Sequence, residues 1–420
     1  MLKRISGTKD ILPADVFWWQ EVERISREIF SLYNYQEIRT PLIEEAYLFN
    51  RSLGSSTEIV QKQMFLIKRP PDTYALRPEG TASIVRAYLE NGLHKKRSFV
   101  KFYYLGPMFR GERPQKGRLR QFHHLGVEAI GSANPAVDLE IIMLADNLLK
   151  AFSIQDYKIK LNSLGCLKDK TVFKEKLQQA LKGKVGDLCL DCQIRFKQNI
   201  LRILDCKKPS CIQIVKTLKI EGEYLCPECN NHFQEIKNGL SHLKINYEIS
   251  PYLVRGLDYY TRTVFEIVHP GLGSQDALGA GGRYDHLIRE LGGPDTPAVG
   301  FAFGIERLQL VSNLAVNTNS KNLVYLISLG EAAKKVCLEI LDNLRKAKIP
   351  ADMNYQDKSL KGALRLANDL GARYVLLIGE DEINKGVVTL KDMRSGQQKE
   401  VKQKEIITEL MSNVKAQNSK

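Results

Sequence analysis

Between Arg110 and Arg120 the chain sets five cations, Arg110, Arg113, Lys116, Arg118 and Arg120, against one carboxylate, Glu112. Guanidinium forks match phosphate oxygens two at a time, and a loop carrying Pro114 and Gly117 can fold over a phosphate chain. The run then passes into RQFHHLGVEAIG, where alternation puts Phe122, His124, Gly126 and Glu128 on one face of a strand and Gln121, His123, Leu125 and Val127 on the other. The first face is polar, and Gly126 leaves a gap in which a flat ligand could lie against the backbone. Two further stretches carry the same kinds of group. LVRGLDYYTR brings Arg255, Asp258, Tyr259 and Tyr260 together. GAGGRYD and AVGFAFGIER offer Gly279, Gly281 and Gly282 for close backbone approach, with Arg307 in the first turn of a helix. A Walker lysine loop and a GxGxxG fingerprint are both absent, so arginines are expected to grip any phosphates.

Six of the eight cysteines fall between Cys189 and Cys229. Cys189-x-x-Cys192 and Cys226-x-x-Cys229, with Cys206 and Cys211 between them, have spacings compatible with a four-thiolate structural zinc site. The expected ligands are Cys189, Cys192, Cys226 and Cys229, with plain thiols as the alternative.

Elements must position these groups. Residues 15 to 33 read as an amphipathic helix, with Val16, Trp19, Val22, Ile25, Ile29 and Leu32 at helical spacing. YQEIRTPLIEE reads as a strand broken by Pro41, suited to an edge or an interface. FVKFYYLGPMFR and RQFHHLGVEAIG read as an antiparallel hairpin with the cationic loop at its tip. Residues 138 to 152 are helix-like. Residues 165–248, Lys-rich and mainly helical, have the character of an inserted module. Two β-rich runs follow, beginning at Leu253 and Ala277, and then a strand that passes through Gly304 into a helix. Residues 316–322 read as a linker. Beyond it the pattern β-α-β-α-β-β, with a final hairpin at Ser395-Gly396, predicts a compact α/β domain.

The whole chain bounds the partners. Its 420 residues, 43% hydrophobic, suffice for several cores, and a formal charge of +14 favours a polyanionic partner. The N-terminus lacks an apolar leader, and apolar runs of membrane-spanning length are missing, so a cytoplasmic protein without a membrane partner is expected.

In combination, the motifs resemble those of the class II aminoacyl-tRNA synthetases. TPLIEE resembles their motif 1, the strand, Arg110 loop and second strand their motif 2, and GFAFGIERL their motif 3. LRPEGT (76 to 81), LVRGLDYYTRTVFE and AGGRYD resemble the histidyl-tRNA synthetase family in particular, from GTKDILP near the N-terminus to the C-terminal domain. The resemblance implies an α+β catalytic core, a bent antiparallel sheet flanked by helices, in residues 1–164 and 249–315. It also implies a helical insertion at 165–248 and an α/β anticodon-binding domain at 323–420. The implied reaction joins L-histidine to tRNA(His) through a histidyl-adenylate, releasing pyrophosphate and then AMP, with ATP as substrate and Mg²⁺ accompanying it.

The family's roles carry over residue by residue. Arg110 and Arg255 would flank the α-phosphate as catalytic groups, Arg255 standing where other class II enzymes tend to use a metal ion. Glu112, Arg118 and Phe122 would hold ATP, with Arg307 at the γ-phosphate end. Glu79 and Thr81, beside Gly80, would receive the α-amino group of histidine, next to His124. Glu128 and Tyr260, with Tyr259 and Tyr284, would read the imidazole. Arg113, Gln115 and Lys116 would meet the tRNA acceptor end. The family usually has glutamine at position 124, and an imidazolium there would repel the substrate ammonium, so histidine affinity is expected to fall below about pH 6.5. A pocket that hydrogen-bonds both imidazole nitrogens needs no editing domain. Motif 1 implies a homodimer; a DNA partner is not implied. The alternative is a non-catalytic histidine-binding regulatory paralogue of histidine biosynthesis. Such proteins usually lack the anticodon domain and erode the arginine motifs, both of which this chain keeps.

Overall fold

The computed structural model describes residues 2–54, 57–218, 224–273, 275–316, 322–356 and 358–418. The chain divides into two compact units, Met1–Val316 and Asn317–Lys420. Most of the expected linker, residues 317–321, lies outside the described residues.

The first unit is built on an eight-stranded sheet. In spatial order its strands are Gln36–Glu37, Val100–Phe109, Gln121–Ile130, Ala298–Gly304, Ala277–Arg283, Thr261–Val268, Lys158–Ser163 and Tyr247–Ile249. The six central strands pair antiparallel, and the outermost strand at each edge pairs parallel. The sheet is therefore mixed rather than antiparallel throughout. The predicted hairpin forms with Val100 opposite Ile130 and Phe109 opposite Gln121.

Alternation divides the sheet between two cores. Leu125, Val127 and Ala129 join Trp19, Phe30, Leu144, Leu148, Phe301 and Phe303 beneath the helices Pro13–Leu32 and Pro135–Ala151. On the opposite side Phe102, Tyr104, Met108 and Val264 pack with Ile84 and Tyr88 of helix Thr81–Glu90 and with the insertion's Phe173, Leu177 and Ile203. Pro13 opens the first helix, where its missing N–H leaves no helical bond unmade. Its buried stripe is Trp19, Val22, Ser26 and Phe30. Leu32, expected in that stripe, is 84% exposed, because thirteen residues on from Trp19 it is rotated by about 220° around the helix axis.

Residues 253 to 260 differ from the expected strand. Strand pairing begins only at Thr261. The carbonyls of Asp258 and Tyr260 accept from Lys170 Nζ at 3.2 and 2.9 Å instead of from a neighbouring strand. The insertion is helical as expected, with helices Leu167–Leu181, Leu190–Gln198, Pro209–Lys216 and Pro227–His242. Its cysteines do not group as their spacing suggested. Cys189 and Cys192 gather with Cys206 and Cys211, whereas Cys226 and Cys229 gather with Cys166 and Asp169. A C-x-x-C spacing fixes which two thiols share a helix start, and the path of the intervening chain decides which pairs meet.

One buried ion pair fastens the sheet to its helical layer. Arg283 and Asp138 are both fully buried. The guanidinium donates through Nε to Asp138 at 3.1 Å and through Nη1 to the Ser132 carbonyl at 2.9 Å. Arg283 of the AGGRYD segment is thus a structural tie. Gly281 and Gly282 likewise serve packing: a Cβ at Gly281 would fall 2.3 Å from the Gly300 carbonyl, and one at Gly282 2.5 Å from that of Thr263.

In the second unit a five-stranded sheet runs in the order Ala351–Met353, Val324–Ser328, Tyr374–Ile378, Val387–Asp392, Gln398–Lys402. The predicted α/β alternation and the final hairpin are present, joined by two further helices, Glu380–Lys385 and Ile406–Asn418. Among the described residues no helix is long and apolar enough to cross a membrane.

Candidate active site

A cleft of about 340 Å³ opens on the polar side of the first unit's sheet. Its lining includes Arg110, Glu112, Arg118, Phe122, His124 and Glu128 from the hairpin. Arg255, Tyr259 and Tyr260 come from the irregular segment, Tyr284 from just beyond the strand Ala277–Arg283, Glu79 and Thr81 from the start of a helix, and Arg307 from the turn after Gly304. Stretches nearly 230 residues apart in sequence thus converge because strands Val100–Phe109 to Thr261–Val268 lie side by side.

At one end of the cleft sit buried acid and hydroxyl groups. Glu128 accepts from Thr81 Oγ1 at 2.7 Å and forms a short hydrogen bond with the Tyr284 hydroxyl. Burial pushes its carboxyl up to about 8, only partly offset by the Tyr284 and Thr81 donors, so it is largely protonated at neutral pH. Glu79 accepts from the backbone amides of Thr81 and Ala82 at 2.7 and 2.8 Å, fixing the start of helix Thr81–Glu90. Burial raises its pKa as well, against those amide donors. The rings of Tyr259 and Tyr260 lie 4.7 Å apart, and Tyr259 meets Tyr284 edge-on at 5.6 Å.

Arginines dominate the other end. Arg110 donates Nε to the Pro78 carbonyl at 2.9 Å and lies over the Phe122 ring at 5.3 Å. Arg307 donates Nε to the Gly117 carbonyl at 2.8 Å, tying the cationic loop to the turn after Gly304. Burial, with Arg118 nearby, lowers Arg307 to about 10, which leaves it charged at neutral pH. Arg255 donates Nη1 to Glu266 at 2.7 Å; burial opposes its charge, but Glu266 and Tyr260 hold it above the usual arginine value. Arg118 bridges Glu112 at 2.9 Å and Gln275 at 2.6 Å.

Two buried polar atoms in this cleft have no hydrogen-bond partner, His124 Nδ1 and Arg255 Nε. Buried polar atoms are nearly always paired, which marks these two residues as candidates for contact with a ligand. His124 is held well below the usual histidine pKa by burial first and then by Arg110, Arg77 and Arg307. It is neutral at physiological pH. Any loss of affinity caused by His124 itself is therefore expected only in more acid conditions than pH 6.5.

The structure brings the residues expected to bind ATP and histidine into one cleft, Gly80 excepted, while Asp258, Gly281 and Gly282 do not line it. Gly80 does not line the cleft, and Gly126 leaves no room for a flat ligand. A flat group does lie on both, but it belongs to the protein: a Cβ at either position would fall 2.4 Å from the Tyr104 ring. Arg113, Gln115 and Lys116 are exposed on the loop outside the cleft. Sequence reasoning missed Tyr104, Glu266 and the insertion residues Arg202, Asp205 and Lys207, which also line the cleft. A carboxylate in the apolar run TRTVFEIV was a usable signal for Glu266. Tyr104 required the cross-strand register that sets it opposite Gly126.

Comparisons with known proteins agree over nearly the whole chain. The family profile for histidyl-tRNA synthetase matches residues 7–187 and 216–308, and that for the anticodon binding domain matches 323–413. A histidine–tRNA ligase of Desulforamulus reducens is 43% identical over 408 residues, covering 96% of this chain and 97% of its own. One of Thermosipho melanesiensis is 45% identical over 411 residues, covering 97% and 98%. The crystal structure of apo Staphylococcus aureus histidyl-tRNA synthetase superposes with a TM-score of 0.80 at 33% identity, covering 98% of this chain and 100% of its own.

Proposed function

The chain belongs to the histidyl-tRNA synthetase family and is a histidine–tRNA ligase; from that premise we propose how its cleft divides the work. L-Histidine and ATP, the latter carried with Mg²⁺, bind together. A histidine carboxylate oxygen attacks the α-phosphorus in line, and pyrophosphate leaves with the bonding electrons. Arg110 and Arg255 flank the α-phosphate and offset the charge that gathers on its oxygens, with Glu266 orienting Arg255 through Nη1. Arg307 receives the γ-phosphate, Glu112 and Arg118 order the loop over the nucleotide, and Phe122 supports the adenine side. In the second step the terminal ribose hydroxyl of tRNA(His) attacks the adenylate carbonyl, and AMP leaves.

Glu128 reads the imidazole, with Tyr260, Tyr284 and Tyr259 around it and Thr81 fixing its carboxyl. Glu79 takes the α-amino group beside the neutral His124. Gly80 acts indirectly, by admitting Tyr104. Arg113, Gln115 and Lys116, exposed at the loop tip, meet the acceptor end, and the domain at 323–420 binds the anticodon. The catalytic domain comprises 1–164 and 249–315, with the insertion at 165–248.

The protein works as a cytoplasmic homodimer. Exposed apolar side chains near Pro41 and on the small sheet that follows it, Leu42, Ile43, Tyr47, Leu66 and Ile67, support this assembly.

The observation that carries the proposal is that Arg110, Arg255 and Arg307 line one cleft with the buried Glu128. The full-length relatives favour the ligase over the regulatory paralogue. Histidine-dependent ATP–pyrophosphate exchange tests it. Arg255→Ala should lower the exchange rate by ~10²-fold or more, mainly in kcat. A rate near that of the parent would remove Arg255 from the mechanism, and no exchange by the parent would refute the whole division of roles.

A further inference from the structure

We propose that Cys189, Cys192, Cys206 and Cys211 form a tetrathiolate site for one structural Zn²⁺, and that this ion staples the segment of the insertion that walls the active-site cleft. The four sulfurs all lie within 4.8 Å of one another, with Cys189 Sγ 3.9 Å from Cys206 Sγ. A tetrahedral zinc with Zn–S bonds of about 2.3 Å requires sulfurs about 3.8 Å apart, so the cluster needs little contraction.

Two helix starts face the cluster. Cys189 caps the helix Leu190–Gln198, and Cys211 lies in the first turn of Pro209–Lys216, where unpaired amides and the helix dipole stabilise negative charge. The Cys189 amide donates to Cys211 Sγ at 3.3 Å, and Arg195 Nη1 lies 4.0 Å from Cys192 Sγ. Cys192 and Cys211 are fully buried and Cys206 is 8% exposed, among Leu188, Ile203 and Val215, with Cys189 half-buried, so most of the site is shielded from bulk water. Across residues 165–248 the sequence has fifteen Lys and Arg against ten Asp and Glu, a setting suited to a dianionic metal–thiolate centre.

All four cysteines fall in residues 188–215, the stretch between the two regions that the family profile matches. The site is thus a property of this chain's insertion rather than of the shared catalytic core. The other cluster, Cys166, Asp169, Cys226 and Cys229, is not part of the proposal. Both Asp169 oxygens already accept backbone amides, from Cys166 at 3.2 Å and Cys226 at 3.1 Å, as a helix cap would.

The segment between Cys192 and Cys211 reaches the cleft. Arg202, Asp205 and Lys207 line it, and Asn199 Nδ2 donates to Asp258 Oδ1 at 2.8 Å, next to the Tyr259–Tyr260 wall. A metal joining the start of one helix, Cys206 three residues beyond the turn Ile200–Ile203, and the start of the next helix fixes that segment at three points.

The test uses the full chain, purified under reducing conditions and dialysed into metal-free buffer. Elemental analysis should find one more zinc per chain in the parent than in Cys206→Ser or Cys211→Ser, while Cys226→Ser and Cys229→Ser retain that ion. Cobalt loaded into the unmutated, zinc-stripped protein should give thiolate-to-cobalt charge-transfer and tetrahedral d–d bands, a readout that no folding defect of a variant can mimic. A parent lacking both tightly held zinc and the cobalt–thiolate bands would overturn the site. So would an ion lost from Cys226→Ser but kept in Cys206→Ser. Limited trypsin digestion tests the staple: cleavage after Arg202 and Lys207 should rise at least several-fold when zinc is stripped, and an unchanged rate would overturn that role.

Discussion

His124 is the residue at which sequence and environment part most clearly. A free imidazole changes charge near pH 6.5, but burial and the neighbouring arginines hold this one neutral well below that value. Its folded-state pKa is depressed, so the neutral form stabilises the fold above about pH 6.5, and that contribution is lost as pH falls toward the depressed value. We therefore expect the KM for histidine in the parent and in His124→Gln to follow the same curve between about pH 6.5 and 8, separating only in more acid buffer. Thermal melts should show His124→Gln to be the less acid-sensitive protein. Curves that part near pH 6.5 would show that the imidazole is hydrated and titrates freely. Glu128 works in the opposite direction. Its carboxyl, raised to about 8, holds a proton that it can share with the substrate imidazole to form an ion pair. Above that pH the proton is gone, and below about pH 6.5 free histidine brings a second one, so affinity should be greatest between these limits. Glu128→Gln cannot lose the proton, and isothermal titration should find the alkaline fall in affinity abolished while the acid fall persists.

At the scale of elements, the hairpin was largely legible in the sequence because its signal is local. A period of two assigns Phe122, His124 and Glu128 to one face and Leu125 and Val127 to the other without knowledge of any other strand. Residues 253 to 260 were misread for the opposite reason. Their aromatic and branched content fits a strand, but Lys170, from a helix some 90 residues earlier, takes up the carbonyls of Asp258 and Tyr260. The loop joining the hairpin strands is divided between two tasks. Arg118 and Glu112 line the cleft, whereas Arg113 and Lys116 are exposed. Arg113→Ala with Lys116→Ala should thus leave histidine-dependent pyrophosphate exchange within about twofold of the parent and raise the KM for tRNA roughly tenfold or more, as expected when two charge-assisted contacts are lost. Equal losses in both assays would place those side chains on ATP instead.

At the scale of the whole molecule, the domain order and the reaction followed from motifs spread along the chain. The grouping of the cysteines and the insertion's contribution of Arg202, Asp205 and Lys207 to the cleft did not, because both depend on how the insertion folds back on itself. Assembly can be tested at the exposed apolar patch. Ile43, half exposed on the strand Ile43–Glu45, should be covered in a dimer. Ile43→Glu would place a charge there and shift light scattering from twice the chain mass toward a single chain, and a parent of single-chain mass would refute the dimer. One last feature bears on how such a molecule can change. The Tyr104 ring fills the space that side chains at Gly80 and Gly126 would need, so these three positions behave as one heritable unit. A methyl group at either glycine is tolerable only after the ring has been trimmed, and trimming the ring first opens a cavity beside Glu128. Either single step is deleterious, whereas the combined change can be far milder than the sum of its parts. Drift at the two glycines, which do not line the cleft, is therefore confined by epistasis with Tyr104, and an invariant glycine here would record a neighbour's size.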